Sequence, residues 1–247
     1  MDTAFIIGNG ESRNIFPIEK LKGHGIIYGC NAIYRDHPTL CDHIVAVNPD
    51  MYDELAKWHN NGKESPQIYS RDTISLWDYI CEGDNEHDVP QGLKIYRIWR
   101  GGDIKKNGKI KTNDFSKARG SGCSAVLLAA ESGIKNIVIM AFDIMGAQQW
   151  EMETPSRIQN NIYKNTPNYP DRASMKAYLK YEWMYQLRQT FRKFPKTNFY
   201  FINRKEYLEG NPFLRWYFDQ PNIRSGIYAD LQRWVDGQRD DIKWRTL

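Results

Sequence analysis

Seven short segments rich in β-branched and aromatic residues recur along this chain of 247 residues, with helical patterns between several of them. Several are almost continuously apolar, which is typical of strands covered on both faces of a parallel sheet. The alternation of strands with helices indicates an α/β fold with a mostly parallel sheet and helices on both faces. We predict strands at residues 3–7, 25–29, 43–48, 66–70, 93–99, 136–142 and 198–203.

Three segments between these strands have helical signals. The first, 49–61, has Asn48 as its N-cap and Pro49 at the first helical position. The second spans 121–133, from a serine to a glycine. The third, 172–194, carries one apolar stripe, which indicates packing against the core. The stripe consists of Met175, Leu179, Trp183, Leu187, Phe191 and Phe194.

Two insertions and a tail complete the predicted organisation. Asn107-Gly108 within 103–111 predicts a hairpin that projects from the sheet. Residues 146–171 show no periodicity, and a loop of that length is typical of a lid. We expect one α/β domain over 1–210 that includes this lid. Residues 211–247 form a helical C-terminal extension, which packs back on the domain or against a second subunit in a homo-oligomer.

The composition favours a cytoplasmic protein without a membrane span. No apolar run approaches the roughly 20 residues that cross a bilayer, and Asp2 precedes the first apolar stretch without a basic region. The four cysteines lack C-x-x-C spacing, so we expect reduced, packed thiols rather than zinc ligands or disulfides.

Positive charge is concentrated in two segments of the chain. Residues 97–119 and 157–204 contain 8 and 10 Lys and Arg, against 2 acidic residues in each. Such segments favour an anionic ligand, or a nucleic-acid partner whose phosphates they bind. The alternative is a solvated basic face with no ligand.

Glycine and small polar residues follow several of the predicted strands. Ligands bind beyond the carboxyl ends of parallel strands, glycines let backbone N–H groups approach a phosphate, and helix N-termini attract anions. Asparagine amides both donate and accept, so they suit a base or a ribose as well. We therefore predict a nucleotide site formed by Gly8, Asn9, Gly10, Ser12, Asn31, Asn48, Arg119, Ser121, Gly122 and Asp143.

Several common sites are excluded by their missing residues. The G-x-G-x-x-G fingerprint is incomplete because Arg13 stands where the third glycine would be. No Walker A loop and no G-x-S-x-G elbow occurs, and the five histidines lack H-x-x-x-H spacing. We expect no metal site.

Four stretches resemble, in the same order, the bacterial sialyltransferases of glycosyltransferase family 42, which use a CMP-sugar donor without a metal. The stretches are FIIGNGES (5–12), GCNAIY (29–34), VNPDMYDEL (47–55) and residues 120–144. They are also similar, more loosely, to a group that includes archaeal pterin diphosphokinases. The resemblance implies a Rossmann-like fold of the GT-A-like variant. It also implies sugar transfer from a nucleotide-sugar donor, of the CMP-linked type, to a hydroxyl acceptor such as a glycan, with no further cofactor.

The resemblance also implies roles for individual residues. Asn9 and Gly10 contact the donor phosphate or ribose, Asn31 and Asn48 hold the nucleotide, and Ser121 and Gly122 cradle the cytidine and phosphate. The lid folds over the donor.

The family's catalytic residues have the fewest counterparts in this sequence. The family's general-base histidine precedes the long helix, whereas no histidine follows His87 here. Tyr169 and Asp171 stand near that place, and Asp171 is the candidate base because a carboxylate can deprotonate an acceptor hydroxyl. Tyr163 and Tyr169 are candidates for the pair of tyrosines that stabilise the leaving phosphate in the family.

Two other functions stay open from the sequence. One is phosphoryl or diphosphoryl transfer in the manner of the pterin diphosphokinases, which needs a divalent metal. The other is a protein that keeps the fold and binds a nucleotide or nucleic acid without catalysis.

Overall fold

A computed structural model describes residues 2–59, 66–70, 95–97, 120–144, 160–169, 177–210 and 212–246. Within these ranges eight parallel strands form one sheet, in the order β5-β4-β3-β2-β1-β6-β7-β8. All seven predicted strands are confirmed, with small differences at their ends. The strands are β1 (Thr3–Ile7), β2 (Ile26–Cys30), β3 (His43–Ala46), β4 (Gln67–Ser70), β5 (Ile95–Arg97), β6 (Asn136–Met140), β7 (Asn198–Ile202) and β8 (Ile223–Gly226).

Helices cover both faces of this sheet. The α-helices are α1 (Pro49–His59), α2 (Ser121–Glu131), α3 (Ala177–Lys193), α4 (Lys205–Glu209), α5 (Pro212–Tyr217) and α6 (Tyr228–Val235). The 3₁₀ helices are Glu11–Ile15, Ile18–Leu21, Asn31–Arg35 and Arg239–Asp241. The three predicted helices are confirmed, although 60–61 and 172–176 lie outside the described residues.

The start of α1 shows the predicted cap. The N–H of Asp50 donates to Oδ1 of Asn48 at 3.1 Å, and Pro49 takes the position where no N–H is needed. Met51, Leu55 and Trp58 then follow at spacings of four and three residues, and all three are buried. This spacing turns one side of α1 toward the core.

The central strand β1 separates two layers of the hydrophobic core. Ala4 and Ile6 belong to the layer that contains α2 and α3, whereas Phe5 and Ile7 belong to the layer that contains α1 and α6. All four side chains are fully buried. Alternate residues of a strand point to opposite faces, so β1 is buried on both sides, as the apolar segment 3–7 predicted. The chain has a Rossmann-like α/β fold.

The segment 211–247 contributes more than the predicted helices α5 and α6. Its residues Ile223–Gly226 form β8, which pairs with β7 in the register Phe199↔Ile223. Of these residues only Ile223 is strongly apolar, so the segment lacked the pattern of a strand. Ser225 and Arg245 exchange two backbone hydrogen bonds, at 2.7 and 3.0 Å, along the outer side of β8. The sheet therefore continues across the boundary expected at 210/211.

Some predictions fall on parts of the chain that the structure does not describe. The hairpin at 103–111 lies outside the described residues, as do 98–119 of the basic segment 97–119 and 146–159 and 170–171 of the lid 146–171. Among the helices of the described residues, none has the length and apolar character needed to cross a membrane.

The order of the strands reverses beside β1. The chain runs from β1 outward to β5, and then returns to place β6 on the other side of β1. A crevice forms at the carboxyl ends of the strands at such a switch point, and ligands bind there in open α/β sheets.

Candidate functional site

A cleft of about 160 Å³ opens at the carboxyl ends of β1 and β6, and we call it the switch-point cleft. It is lined by residues 8–10, 30–31, 120–123, 141–144, 160–161 and Trp183. Of the predicted binding residues, the cleft brings together Gly8, Asn9, Gly10, Asn31, Ser121, Gly122 and Asp143.

Gly8 and Gly10 are required because two chain segments approach each other closely here. A Cβ on Gly8 would lie 2.3 Å from the carbonyl oxygen of Ala141, and one on Gly10 would lie 2.5 Å from Cγ of Asp143. Their N–H groups donate to the carbonyl oxygens of Met140 and Ala141, at 2.9 and 3.0 Å. This geometry corrects the expectation that these two N–H groups contact a phosphate, because the carbonyl oxygens of Met140 and Ala141 already accept from them.

Asp143 has a buried carboxylate whose four hydrogen-bond acceptor sites are all occupied by donors of the protein. Its Oδ1 accepts from Ser12 Oγ at 2.5 Å and from Asn203 Nδ2 at 3.1 Å. Its Oδ2 accepts from the Ser12 N–H at 2.9 Å and from Asn160 Nδ2 at 2.5 Å. A carboxylate offers about four lone-pair sites, and the Asp143 side chain is fully buried. Asp143 therefore fixes the walls of the cleft rather than acting as a base or a metal ligand.

Two of the predicted residues support the cleft from outside its lining. Ser12 is buried beneath the loop, where its hydroxyl bonds to Asp143 and lies 2.9 Å from the Tyr228 hydroxyl. The side chain of Asn48 caps α1. Neither side chain lines the cleft, so the expectation that they contact a ligand is corrected to a positioning role.

Hydrogen bonds of Ser121 connect the start of α2 with the ends of β2 and β3. Ser121 Oγ donates to Asn31 Oδ1 at 2.7 Å and accepts from the Val47 N–H at 3.2 Å. Asn31 has a φ of +51°, and Ala141, on the facing wall, has a φ of +56°. Non-glycine residues in this left-handed region are strained, and such residues concentrate at functional sites. Ala141 carries the larger strain because alanine lacks the side chain that lets asparagine adopt this conformation.

The N-terminus of α2 opens into the cleft. Gly120 is its N-cap, and no side chain of the described residues caps the first turn. A Cβ on Gly122 would lie 2.7 Å from Cζ of Phe142, so the helix start packs tightly on the cleft wall. The first N–H groups of a helix lack intrahelical partners and carry partial positive charge. This end of the cleft therefore favours an anion.

Two asparagines present one unpaired amide oxygen each. Asn9 Nδ2 donates to the Tyr169 hydroxyl at 3.2 Å, and Asn160 Nδ2 donates to Asp143. Within the described part of the chain, Oδ1 of both residues has no hydrogen-bond partner. The residues are only 9% and 7% exposed, and both line the cleft. Asn160 was not among the predicted site residues because no pattern in the lid sequence distinguishes it from its neighbours.

The predicted catalytic tyrosines lie beside the cleft rather than in its lining. The Tyr163 hydroxyl accepts from Arg13 Nη2 at 3.0 Å, in the core. The Tyr169 hydroxyl contacts Asn9 behind the cleft wall. Burial raises the pKa of both phenols, so both stay protonated at neutral pH. Arg119 and Asp171, the other predicted site residues, lie outside the described residues.

Segment 160–169 is held in place by polar contacts. The Ile162 N–H donates to the carbonyl oxygen of Asn9 at 2.9 Å. Arg35 Nη1 donates to Thr166 Oγ1 at 2.7 Å, and Asn168 Nδ2 donates to Glu54 Oε2 at 2.6 Å. The segment thus bridges the switch-point cleft and α1.

A second depression lies between α1 and this segment, and we call it the α1 groove. It is lined by Arg35, Asp50, Asp53, Glu54, Lys57 and residues 166–168. Arg35 and Glu54 form a bidentate ion pair there, at 2.6 and 2.5 Å. Burial opposes the ionisation of Glu54, but hydrogen bonds from Arg35, Tyr34 and Asn168 hold its pKa below the ordinary value.

Metal-ligating groups do not cluster in the described ranges, where no group of three or more His, Cys, Asp or Glu could hold an ion. Among the cysteines of the described residues, Cys30, Cys41 and Cys123 form no disulfide with one another. Cys30 and Cys123 belong to the apolar part of the cleft lining. Burial raises the pKa of the Cys30 thiol, so it stays protonated.

Comparisons of this chain with protein-family models, with curated proteins and with solved structures found no match. The interpretation of the cleft therefore depends on its geometry.

Proposed function

We propose that the switch-point cleft binds the phosphate and ribose of a nucleotide, and that the chain is a metal-independent glycosyltransferase with a nucleotide-sugar donor of the cytidine type. The observation that carries this proposal is the uncapped N-terminus of α2, which opens into the cleft at the switch point of the sheet. A helix end of this kind binds a phosphate without help from a metal.

The rest of the cleft suits the other parts of a nucleotide. Phe142 and Trp183 supply aromatic surface against which a base can stack. Asn9 and Asn160 are polar residues of the same lining. A mostly apolar cleft with a few fixed polar groups is the usual form of a cofactor or nucleotide site.

The proposed reaction is an inverting displacement. The oxygen of an acceptor hydroxyl attacks the anomeric carbon of the donor sugar, the bond from that carbon to the phosphate oxygen breaks, and the nucleotide leaves with the bonding electrons. The α2 N–H groups stabilise the charge that develops on the departing phosphate. The acceptor proton goes to a carboxylate, for which the sequence offers Asp171.

The binding step is tested by thermal unfolding with CMP, UMP, GMP, AMP and CMP-sialic acid. A ligand that binds only the folded state raises the midpoint, and we expect CMP and CMP-sialic acid to give the largest shifts. If none of these compounds raises the midpoint, the nucleotide site is wrong. Release of CMP from the sugar donor in saturating EDTA tests the transfer. If CMP binds but no CMP is released from the sugar donor when several acceptor sugars are present, the chain is a nucleotide-binding protein and not a transferase.

A matched pair of variants tests the phosphate end of the cleft. Gly120 is the extended N-cap of α2, so Gly120→Asp and Gly120→Asn both supply a cap of the same size. A Cβ on Gly120 would lie 2.9 Å from Nε1 of Trp183, so both variants require the same shift of that ring and the test uses only the difference between them. Only aspartate adds a negative charge where the phosphate would lie. We expect about tenfold weaker CMP binding for Gly120→Asp than for Gly120→Asn at low salt. Equal affinities would place the phosphate elsewhere, and the ligand-free midpoints check that both variants fold.

A further inference from the structure

Tyr228 connects the C-terminal extension, 211–247, to the strained wall of the switch-point cleft. It is the first residue of α6, it follows β8, and it is only 6% exposed. The Ala141 N–H donates to the Tyr228 hydroxyl at 3.3 Å, and Ser12 Oγ lies 2.9 Å from the same hydroxyl oxygen. Ala141 lines the cleft, whereas Tyr228 does not. A residue of the C-terminal extension therefore contacts a residue of the cleft wall from outside the lining.

The directions of these hydrogen bonds follow from the acceptor role of Asp143. An ionised carboxylate only accepts, so the single proton of the Ser12 hydroxyl goes to Asp143 Oδ1. Ser12 Oγ must then accept its second hydrogen bond, which leaves Tyr228 as the donor. The Tyr228 oxygen in turn accepts from the Ala141 N–H. Burial raises the pKa of Tyr228, so the phenol retains the proton that this chain of hydrogen bonds needs.

Both backbone polar groups of Ala141 have a partner. Its N–H donates to Tyr228, and its carbonyl oxygen accepts from the Gly10 N–H at 3.0 Å. The φ of +56° is unfavourable for alanine, and a strained conformation persists only where the surrounding structure holds it. The Tyr228 hydroxyl therefore helps to hold the backbone of Ala141 in this conformation.

We propose that Tyr228 is a positioning residue of the switch-point cleft, because its hydroxyl holds the Ala141 backbone in the strained conformation that shapes the ligand-binding wall. This inference rests on the nucleotide site proposed above, and it makes the C-terminal extension part of that site. Without the hydroxyl, a fraction of the molecules relaxes at residue 141. The apparent affinity for a ligand then falls in proportion to the fraction that keeps the binding-competent wall.

Two tyrosine variants separate positioning from general stability. Tyr228→Phe removes only the hydroxyl at the cleft wall, whereas Tyr34→Phe removes an equally buried hydroxyl that donates to Glu54, a residue of the α1 groove. We expect both variants to lower the midpoint of urea denaturation. Calorimetry on the full chain should show about tenfold weaker CMP binding for Tyr228→Phe and a change of less than twofold for Tyr34→Phe. A loss below twofold for Tyr228→Phe would overturn the inference.

A second substitution tests whether Tyr228 acts through Ala141. Glycine adopts a positive φ about as readily as a negative one, so residue 141 depends less on the hydroxyl in Ala141→Gly. We expect Ala141→Gly to strengthen CMP binding at least about threefold more in the Tyr228→Phe background than in the wild-type background. A role limited to the stability of the fold would not produce this coupling. If Ala141→Gly has the same effect on CMP affinity in both backgrounds, the assignment to Ala141 is wrong.

Hydrogen exchange of the ligand-free chain tests the same contact without a nucleotide. The Ala141 N–H loses its acceptor in Tyr228→Phe, so we expect its exchange to become at least about tenfold faster, with no such change in Tyr34→Phe. Faster exchange in a chain that binds no nucleotide would support the positioning of the wall, although the proposed function would be wrong. Unchanged exchange in a chain that binds CMP would overturn this inference and leave the nucleotide site intact.

Discussion

The switch-point cleft and the α1 groove differ in how their polar groups are paired. The groove contains more charge, but Arg35 and Glu54 are joined by two hydrogen bonds and are also bound to segment 160–169. The cleft contains less charge, yet two buried amide oxygens lack partners in the described chain and a helix end is uncapped. The cleft and the groove therefore differ in pairing rather than in charge alone, and this difference is why we propose the cleft as the ligand site.

This comparison assigns different roles to the two sides of segment 160–169. On the side of α1 the segment is anchored by hydrogen bonds, from Arg35 to Thr166 and from Asn168 to Glu54. On the side of the cleft it supplies Asn160, which is one of the lining residues and donates to Asp143. Three predictions test this division, in order of decreasing expected effect.

Removal of the Asp143 carboxylate should have the largest effect, because it supports the cleft walls. Asp143→Ala removes the acceptor of the Ser12 N–H and of Asn160 Nδ2 in a buried site, and it removes one of two partners from the Ser12 hydroxyl and from Asn203 Nδ2. We expect a loss of about 4 kcal/mol in the free energy of unfolding, measured by urea denaturation, and no detectable CMP binding. The exposed control Asp241→Ala should change stability by less than about 0.5 kcal/mol. A loss below 1 kcal/mol for Asp143→Ala would show that the carboxylate is not the main support.

Loss of charge at Glu54 should affect stability but not nucleotide affinity. The pKa of Glu54 is held below its ordinary value in the folded protein, so its ion pair stabilises the fold above the pKa of the unfolded chain, near 4.3. That stability is lost as the pH falls through the lower, folded pKa. We expect Glu54→Gln to cost about 1 kcal/mol at pH 7 and almost nothing near pH 2.

The control for Glu54→Gln is Glu209→Gln, whose ion pairs are long and exposed; it should be nearly neutral at every pH. CMP affinity should change by less than about threefold in Glu54→Gln, since its hydrogen bonds lie in the α1 groove. A tenfold loss of CMP affinity would contradict the division between groove and cleft.

Relief of backbone strain in the cleft should have the smallest effect. Ala141 has a φ of +56°, which is unfavourable by roughly 1–2 kcal/mol for alanine. Ala141→Gly removes this strain but adds entropy to the unfolded chain, so a net gain of about 0.5 kcal/mol is expected in urea denaturation. Asn165→Gly, at a φ of +62° in an exposed turn, should change stability by no more than a few tenths of a kcal/mol. A net loss for Ala141→Gly would mean that its methyl group packs favourably enough to outweigh the strain.

The fold could be predicted from the sequence where burial leaves a continuous apolar pattern. Segment 3–7 is buried on both faces, so every residue of β1 is apolar or small, and the strand is evident. The edge strand β8 was missed because Arg224 and Ser225 occupy two of its four positions. An edge strand needs no continuous apolar run. β8 is defined by its pairing with β7, and this pairing cannot be predicted from the apolar pattern of the sequence.

The location of the candidate site could be predicted from the sequence, but the hydrogen bonds of its side chains could not. Strand ends meet at one edge of a parallel sheet, so Asn9, Asn31 and Ser121 were expected to lie together. Which amide atoms are paired depends on neighbours distant in sequence, such as Asp143 for Asn160. The same limit explains why Ser12 and Asn48 were expected at the ligand, although their side chains bond to Asp143 and to α1.

The position of β1 also has a consequence for how the chain folds. β1 is an early segment of the chain, but it lies in the middle of the sheet between β2 and β6. Its pairing of Thr3 with Asn136 joins residues more than 130 positions apart, whereas the β2 partners lie close in sequence. Distant pairings slow folding because a long loop must close first. We therefore expect β1 to β3 to associate early, and the cleft, which needs β6, to form only in the last step.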